Sequence, residues 1–537
     1  MSTGWNFADI WEHVADRFPD APCQIGHGHR RTWAEVDHRA DGVAAALLAS
    51  GAGHQAKVAH YLYNCPEFLE SMFAMFKASL VPVNTNYRYG HDELVYLWDN
   101  ADVVAVVFHG CFAERIEPLR HEVPGVALWL WVDDGSGSCP AWASPYETAA
   151  TSTTARVQPP WGRSGDDLYL LYTGGTTGMP KGVMWRQRDI IGAVDGPTRQ
   201  PLPANVDWEA FDAKVAKPGP VNLPAAPLMH GTGAFNAMSN LLVAGSVVTL
   251  DGRHFDAVEL LDTIQRERVG SISIVGDAFA KPILRALEAQ PDRWDISSLR
   301  IIISSGVMWS SETKAGLLRH NSRLIMIDSL GSSEAIGMAS STTTADSSAT
   351  TATFRLGPFT KVLTEDGREV VAGSGERGRV ALRGFTPVGY YKDPVKSATT
   401  FQIVDDVTWS IPGDWAEVDA DGTVRLLGRG SQCINTGGEK VYPEEVEEVL
   451  KQHVSVADVA VVGLPDERFG EAVTALVEAH AGHAIDHADL VAHVRAHLAA
   501  FKAPKRIVVV DSIGRAPNGK VDYKRLRQHA LDVLGAS

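Results

Sequence analysis

Short apolar runs recur along the chain: VVAVVF at 103–108, LYLLYT at 168–173, SISIV at 271–275, RIIIS at 300–304 and RLIMI at 323–327. Amphipathic, helix-like segments separate them, and that alternation predicts α/β layers built on largely buried parallel strands. At 537 residues the chain is too long for one core, so two or more domains are expected. The polar tracts DDGSGSCP near 133–140 and SSTTTADSSATT at 340–351 read as surface loops. After Gly384 the texture changes to Trp, Gly and Asp-rich turns, as in GDWAEVDADGTVRLLGRG at 413–430, which predicts a β-rich subdomain. From Ser431 a further unit is expected, with helix PEEVEEVLKQH, strand VADVAVVG, helix HADLVAHVRAHLAA and strand KRIVVVD. The expected fold is a large α/β domain over 1–430 followed by a small α+β domain over 431–537.

A net charge of −16 and a pI near 5.6 argue against binding nucleic acid or anionic lipid, since both require a basic face. Small-molecule partners are expected. Cys23, Cys65, Cys111, Cys139 and Cys433 are scattered and lack metal-ligand spacing, which suits a reducing compartment. The start MSTGWNFADIW lacks the basic and apolar regions of a signal peptide, and no run is long enough to span a bilayer, so a cytoplasmic protein is expected.

Three patterns are set aside on physical grounds. Gly373, Gly375 and Gly378 fit G-x-G-x-x-G, but the following RVALRG alternates like a strand and opens no helix. His483/His487 and His493/His497 are each spaced by four, yet no Glu completes a zincin motif between the latter pair, and a solvated helix surface is the better reading. His27 and His29 flank Gly28 and read as a turn.

The stretch Tyr172 to Gly182, YTGGTTGMPKG, carries more chemistry. It fails the G-x-x-x-x-G-K-[ST] pattern because Met179 and Pro180 precede Lys181 and Gly182 follows it. It still offers open backbone N–H groups at Gly174, Gly175 and Gly178, hydroxyls at Thr173, Thr176 and Thr177, and a cation at Lys181, a set that can wrap and neutralise phosphate.

This loop resembles the phosphate-loop signature of the adenylate-forming superfamily, which contains acyl-CoA synthetases, luciferases and peptide-synthetase adenylation domains. PLMHGTG at 227–233, SSGVM at 304–308, DSLGSSE at 328–334, GERGRVALRG at 375–384, PGD at 412–414, GRGSQCINTGGEKVYPEEVE at 428–447 and PNGK at 517–520 follow in matching order. LYNCPEFLESMFAMFKASLVPVNTNYRY near the N-terminus is similar too, so the resemblance spans nearly the whole chain.

The resemblance implies a two-step reaction: ATP activates a carboxylic acid to acyl-AMP with release of pyrophosphate, and the acyl group then passes to the thiol of coenzyme A. A carboxylic acid is ionised at neutral pH, so the nucleophile needs alignment and charge neutralisation instead of a base. By resemblance, Glu334 holds Mg²⁺ and Lys520 bridges carboxylate and α-phosphate. Asp414 and Arg429 take the ribose, with Asn435 and Lys440 nearby. Ser305, Gly306, Val307, Asp328, Leu330, Gly331, Ser332 and Ser333 form the nucleotide side. Leu330 stands where the family usually has an aromatic ring, which gives apolar contact without a π face. His230, Gly231, Ala234, Phe235, Gly306 and Gly331 border the acyl pocket, where small residues leave room for a bulky acid, and His230 joins Lys520 and Glu334 as the expected catalytic residues. Ser431 falls at the family's interdomain hinge, and Gly437, Gly438 and Glu439 line the pantetheine path.

VGDAF at 275–279, with LGSSE and INTGGEKVYPEEVE, most resembles bacterial fatty acyl-CoA synthetases, including those for steroid side-chain acids. The expected acids are medium-to-long or branched acyl, then steroid side-chain, then aryl. An enzyme loading a carrier protein in trans is the alternative, disfavoured because no carrier domain follows PNGK. A non-catalytic nucleotide-binding protein is disfavoured by Glu334, Asp414, Arg429 and Lys520 together. A homodimer is the candidate assembly.

Overall fold

The computed structural model describes residues 4–152, 155–173, 179–195, 201–306, 309–347, 353–429, 434–436, 439–466, 470–498, 500–516, 519 and 521–535, with backbone alone at Arg429, Asn435, Glu439, Lys440 and Gly470. The chain divides into two compact units, residues 1–351 with 383–410, and residues 352–382 with 411–537.

The first unit contains two sheets. One runs in the order Gly389–Tyr390, Lys181–Arg186, Leu168–Thr173, Val81–Asn84, Lys57–Tyr61, Val103–His109, Leu128–Val132, Ser144–Pro145. From Leu168–Thr173 onward its strands are parallel, while Lys181–Arg186 turns back antiparallel. The other runs His29–Thr32, Pro22–Gly26, Ser246–Val248, Val221–Pro224, Ser271–Ile274, Ile301–Ser305, Ile325–Ser332, Ala335–Thr343, with parallel pairing from Pro22–Gly26 through Ile325–Ser332. All five apolar runs are strands. Helices Phe7–Arg17, Trp33–Ala49, Pro66–Lys77, Gln187–Asp195 and Gly231–Leu241 share one core with Val58, Leu171, Trp185 and Val247, so both sheets contribute to it. Opposite faces are covered by separate cores, which is why the strands are apolar on both sides.

The tract at 340–351 differs from its expected loop: strand Ala335–Thr343 continues through SSTT, because pairing with Ile325–Ser332 satisfies its backbone. The β-rich texture also begins before Gly384, with strands Thr353–Leu356, Thr360–Leu363 and Arg377–Arg383. The last of these is the segment after the Gly373–Gly378 pattern, and it is a strand as expected.

In the second unit, helix Pro443–Lys451, strand Val456–Asp466, helix His487–His497 and strand Arg506–Val510 lie where the sequence predicts. Strand Gly470–Ala479 and helix Tyr523–Leu534 are additional elements. Alternation along Val456–Asp466 explains the two small cores, with Val459 and Val461 in one and Ala460, Val462 and Leu464 in the other. His483 sits in a turn before the helix, and His493 Nε2 lies 3.0 Å from the carbonyl of Val449. Among the described residues no helix is long and apolar enough to cross a membrane.

Candidate active site

Strand pairing fixes the base of the phosphate loop. Leu168–Thr173 and Lys181–Arg186 are antiparallel, with Tyr172 opposite Gly182 and Thr173 opposite Lys181. Gly182 leaves room for its cross-strand neighbour, since a Cβ there would stand 2.6 Å from the Tyr172 ring. Residues Gly174 to Gly178 lie outside the described residues. Where the loop departs, Asn84 locks the strand: its Oδ1 accepts from Tyr172 N at 2.6 Å and its Nδ2 donates to Tyr172 O at 2.9 Å and to Met229 O at 2.8 Å. Asn84 therefore ties the start of the phosphate loop to the backbone just before His230.

Glu334 sits at the turn between the antiparallel strands Ile325–Ser332 and Ala335–Thr343. Three neighbours fix this turn. Trp185 Nε1 donates to Ser333 O at 2.8 Å, Ser410 Oγ donates to Glu334 O at 2.6 Å, and Glu334 N donates to Ser332 Oγ at 3.2 Å. The side chain is held as well, because the Tyr390 hydroxyl donates to Glu334 Oε1 at 2.8 Å.

Tyr390 reaches this position as part of Gly389–Tyr390, which pairs antiparallel with Lys181–Arg186 and sets Tyr390 opposite Val183. The same segment meets Lys181. Asp393 Oδ2 lies 3.0 Å from Lys181 Nζ, and that ammonium stands 5.7 Å from the Tyr390 ring centroid. Asp393 also caps helix Pro394–Thr400 by accepting from Lys396 N at 2.9 Å. That backbone bond and the Lys181 ammonium hold its carboxyl below the usual aspartate range. Tyr391 and Lys392 anchor the segment to Asp102, each at 2.7 Å. Lys181 and Glu334, far apart in the chain, thus converge on Tyr390. Neither Asn84 nor Tyr390 was singled out by its local sequence. The available signals were an amide directly after the apolar strand VPV and a Gly-Tyr pair ahead of Asp-Pro.

His230 is the N-cap residue of helix Gly231–Leu241. The approach to it is fixed by Asn64, whose Oδ1 accepts from Leu228 N at 2.7 Å and whose Nδ2 donates to the carbonyls of Pro224 and Ala226, both at 3.2 Å. The space beside Gly231 is filled from its own helix, for a Cβ there would stand 2.9 Å from the Phe235 ring. Ala234 and Phe235 are buried in the first unit. Gly231 is therefore packed against a ring, a feature that residue size alone did not reveal.

Ser305 ends strand Ile301–Ser305 and Gly306 follows with φ +91°, a backbone conformation that favours glycine. Val307 lies outside the described residues. Asp328, Leu330, Gly331 and Ser332 lie on strand Ile325–Ser332, with Asp328 opposite Ser304 and Leu330 opposite Ala339. Asp328 is buried and bonded to the buried Lys314 ammonium. Burial pushes its carboxyl above the ordinary range, against the pull of Lys314.

Within the second unit, Asp414 pairs with Arg429 across strands Asp414–Val418 and Thr423–Arg429. Asn435 pairs in backbone register with Lys440, and Thr436 with Glu439. Ser431, Gly437, Gly438 and Lys520 lie outside the described residues. The turn before Lys520 is well braced: Gly519 has φ +73°, and Arg515 donates to Gly519 O at 3.2 Å while gripping Asp458 at 2.6 and 2.9 Å.

Glu334 fits the role of a magnesium ligand. It presents a hard carboxylate whose Oε1 already accepts from Tyr390 and which retains further lone pairs. Magnesium is commonly bound by one or two carboxylates together with substrate phosphates, and so needs no cage of protein ligands.

Two family models match the chain, AMP-binding enzyme over residues 11–391 and AMP-binding enzyme C-terminal domain over residues 445–520. A Mycobacterium marinum protein named medium/long-chain-fatty-acid–CoA/3-oxocholest-4-en-26-oate–CoA ligase is 38% identical over 535 residues, covering 98% of this chain and 96% of its own. The 3-oxocholest-4-en-26-oate–CoA ligase of Rhodococcus rhodochrous is also 38% identical, with 97% and 95% covered. The crystal structure of ATP-bound MatB from Rhodopseudomonas palustris superposes with a TM-score of 0.81 at 26% identity, covering 98% of this chain and 100% of that one. With both parts of the chain matched and its relatives aligned from end to end, the chain belongs to the AMP-binding enzyme family, as an AMP-forming acid–thiol ligase.

Proposed function

We propose that this ligase activates a hydrophobic carboxylic acid, with medium-to-long or branched acyl chains and steroid side-chain acids ahead of aryl acids, and transfers the acyl group to coenzyme A. The observation that carries the adenylation chemistry is the convergence of Lys181 and Glu334 on Tyr390 beside the phosphate loop. The acid class rests on relatives named for fatty acids and 3-oxocholest-4-en-26-oate.

In this reading Lys181 and the loop Thr173 to Gly178 take the β- and γ-phosphates, which leave together as pyrophosphate. Lys181 exchanges Asp393 for phosphate oxygens, and the residue that would hold Mg²⁺ is Glu334. The bound cation supplies charge that offsets the phosphates. Asp414 and Arg429 take the ribose. Lys520 stands between acyl carboxylate and α-phosphate, where a cation lowers the repulsion of two approaching anions most in the transition state. Residues 1–430 form the adenylate-forming domain and 431–537 the lid. The lid turns about Ser431 to admit the thiol along Gly437, Gly438 and Glu439.

Incubation with ATP, Mg²⁺, coenzyme A and a panel of fatty, branched, steroid side-chain and aryl acids, followed by mass spectrometry, is expected to yield AMP and one class of acyl-CoA. Formation of ADP, or no product from any acid, overturns the proposal. Ser431→Pro restricts the backbone at the hinge, and it is expected to slow thioester formation more than acyl-adenylate formation in single-turnover assays. Equal thioester rates in variant and parent would remove the hinge from Ser431.

A further inference from the structure

Tyr390 is 6% exposed, so its hydroxyl requires a buried partner, and it has one in Glu334 Oε1 at 2.8 Å. Its ring is fixed independently of that bond. The backbone N–H donates to Ser397 Oγ at 2.8 Å, the strand pairs with Lys181–Arg186, and Phe401 packs at 5.6 Å between ring centroids. Lys181 Nζ stands 5.7 Å from the ring centroid, within the range where an ammonium is attracted to an aromatic face. One side chain therefore meets the two charges assigned to the phosphate end of the nucleotide. A lysine and a glutamate brought to the same place would tend to pair and cancel. Here Lys181 is paired with Asp393 and Glu334 is bonded to a neutral hydroxyl, so each of the two has a partner other than the other.

We propose that Tyr390 is a positioning residue for adenylation: its hydroxyl orients the Glu334 carboxylate toward the nucleotide's metal, and its ring spaces that carboxylate from Lys181. This rests on the reading of Glu334 as the metal-holding residue. Partners that orient a metal ligand typically matter by about 10–100-fold in metal affinity or activity. Removing the hydroxyl while keeping the ring isolates the effect.

The test is calorimetric titration of ATP into the full-length protein without acid or coenzyme A, across a series of Mg²⁺ concentrations and in EDTA. Parent, Tyr390→Phe and Glu334→Gln are compared, with thermal midpoints measured alongside. Tyr390→Phe is expected to raise the Mg²⁺ concentration needed for tight ATP binding by about tenfold, to leave binding in EDTA and the thermal midpoint near the parent's, and to regain the parent's ATP affinity at high Mg²⁺. A normal Mg²⁺ requirement in Tyr390→Phe alongside a raised one in Glu334→Gln overturns the inference and leaves the Glu334 reading standing. A normal requirement in Glu334→Gln overturns that reading itself. Equal weakening of ATP binding by Tyr390→Phe with and without Mg²⁺, together with a lowered midpoint, assigns Tyr390 to packing alone and also overturns the inference.

Discussion

Lys520→Ala is expected to lower acyl-adenylate formation by at least about 10²–10³-fold, the scale seen when one preorganised group serving transition-state charge is removed. Thioester formation from supplied acyl-adenylate is expected to stay within about threefold of the parent, because that step no longer brings two anions together. The truncation should not unfold the turn. Gly519 is already in the left-handed conformation its position needs, and Arg515 braces the turn through Gly519 O and the Asp458 carboxylate. Burial pushes Asp458 upward, but its hydrogen bond with Arg515 and the charges of Lys451 and Arg515 leave it below the ordinary range, so the brace stays charged at neutral pH. Pyrophosphate release and acyl transfer measured separately in single turnovers provide the check. Equal loss in both half-reactions would contradict a role confined to adenylation.

The second large effect concerns stability. Lys77 is 0% exposed, and its Nζ lies 2.8 Å from Glu12, 2.7 Å from Asp37 and 2.8 Å from Asp41. Arg163 bonds Glu12 and Asp9, and Arg156 bonds Asp37 and Asp16, which completes a network tying helices Phe7–Arg17, Trp33–Ala49 and Pro66–Lys77 to the segment around 156–163. Lys77→Met preserves length and apolar stem while leaving buried carboxylates short of a cation. Removing one partner from such a buried group costs about 3–5 kcal/mol. Burial pushes Glu12 upward, but hydrogen bonds and charge from Arg163 and Lys77 outweigh it and hold the carboxyl below its usual range. In the parent this contribution is present above the unfolded-state value and fades as pH falls through the folded one. Without Lys77 the folded value rises, so proton uptake relieves the variant and its deficit should shrink as pH falls from neutral toward about 4–5. Urea unfolding followed at several pH values tests this. A variant within about 1 kcal/mol of the parent at neutral pH would show that the network makes no net contribution.

Much of the fold was legible in short stretches. A continuous apolar run such as VVAVVF became a strand because both faces are covered, and there the sequence pattern reports burial directly, whereas RLIMI pairs as a strand with only Leu324 and Met326 in a core and Ile325 exposed. The expected loop at 340–351 failed in part because hydroxyl-rich residues are acceptable in a strand once a partner takes their backbone bonds. The early β texture before Gly384 was missed because its strands Thr353–Leu356 and Thr360–Leu363 are four residues each, too short for an apolar pattern to stand out.

For the candidate site, the sequence determined which residues could carry charge and hydroxyls: Lys181 after a glycine-rich loop, Glu334 in DSLGSSE, and Asp414 in PGD. Their order along the chain was also enough to indicate the family. Only the tertiary structure decided what surrounds them. Asn84 clamps Tyr172 and Met229, 88 and 145 residues away, and Tyr390 joins Glu334 to the strand that begins with Lys181, because antiparallel pairing sets Tyr390 opposite Val183. Such pairings depend on sheet order and register, which are set by the burial of whole faces, so the amide after VPV and the Gly-Tyr pair ahead of Asp-Pro do not by themselves say which segments they meet.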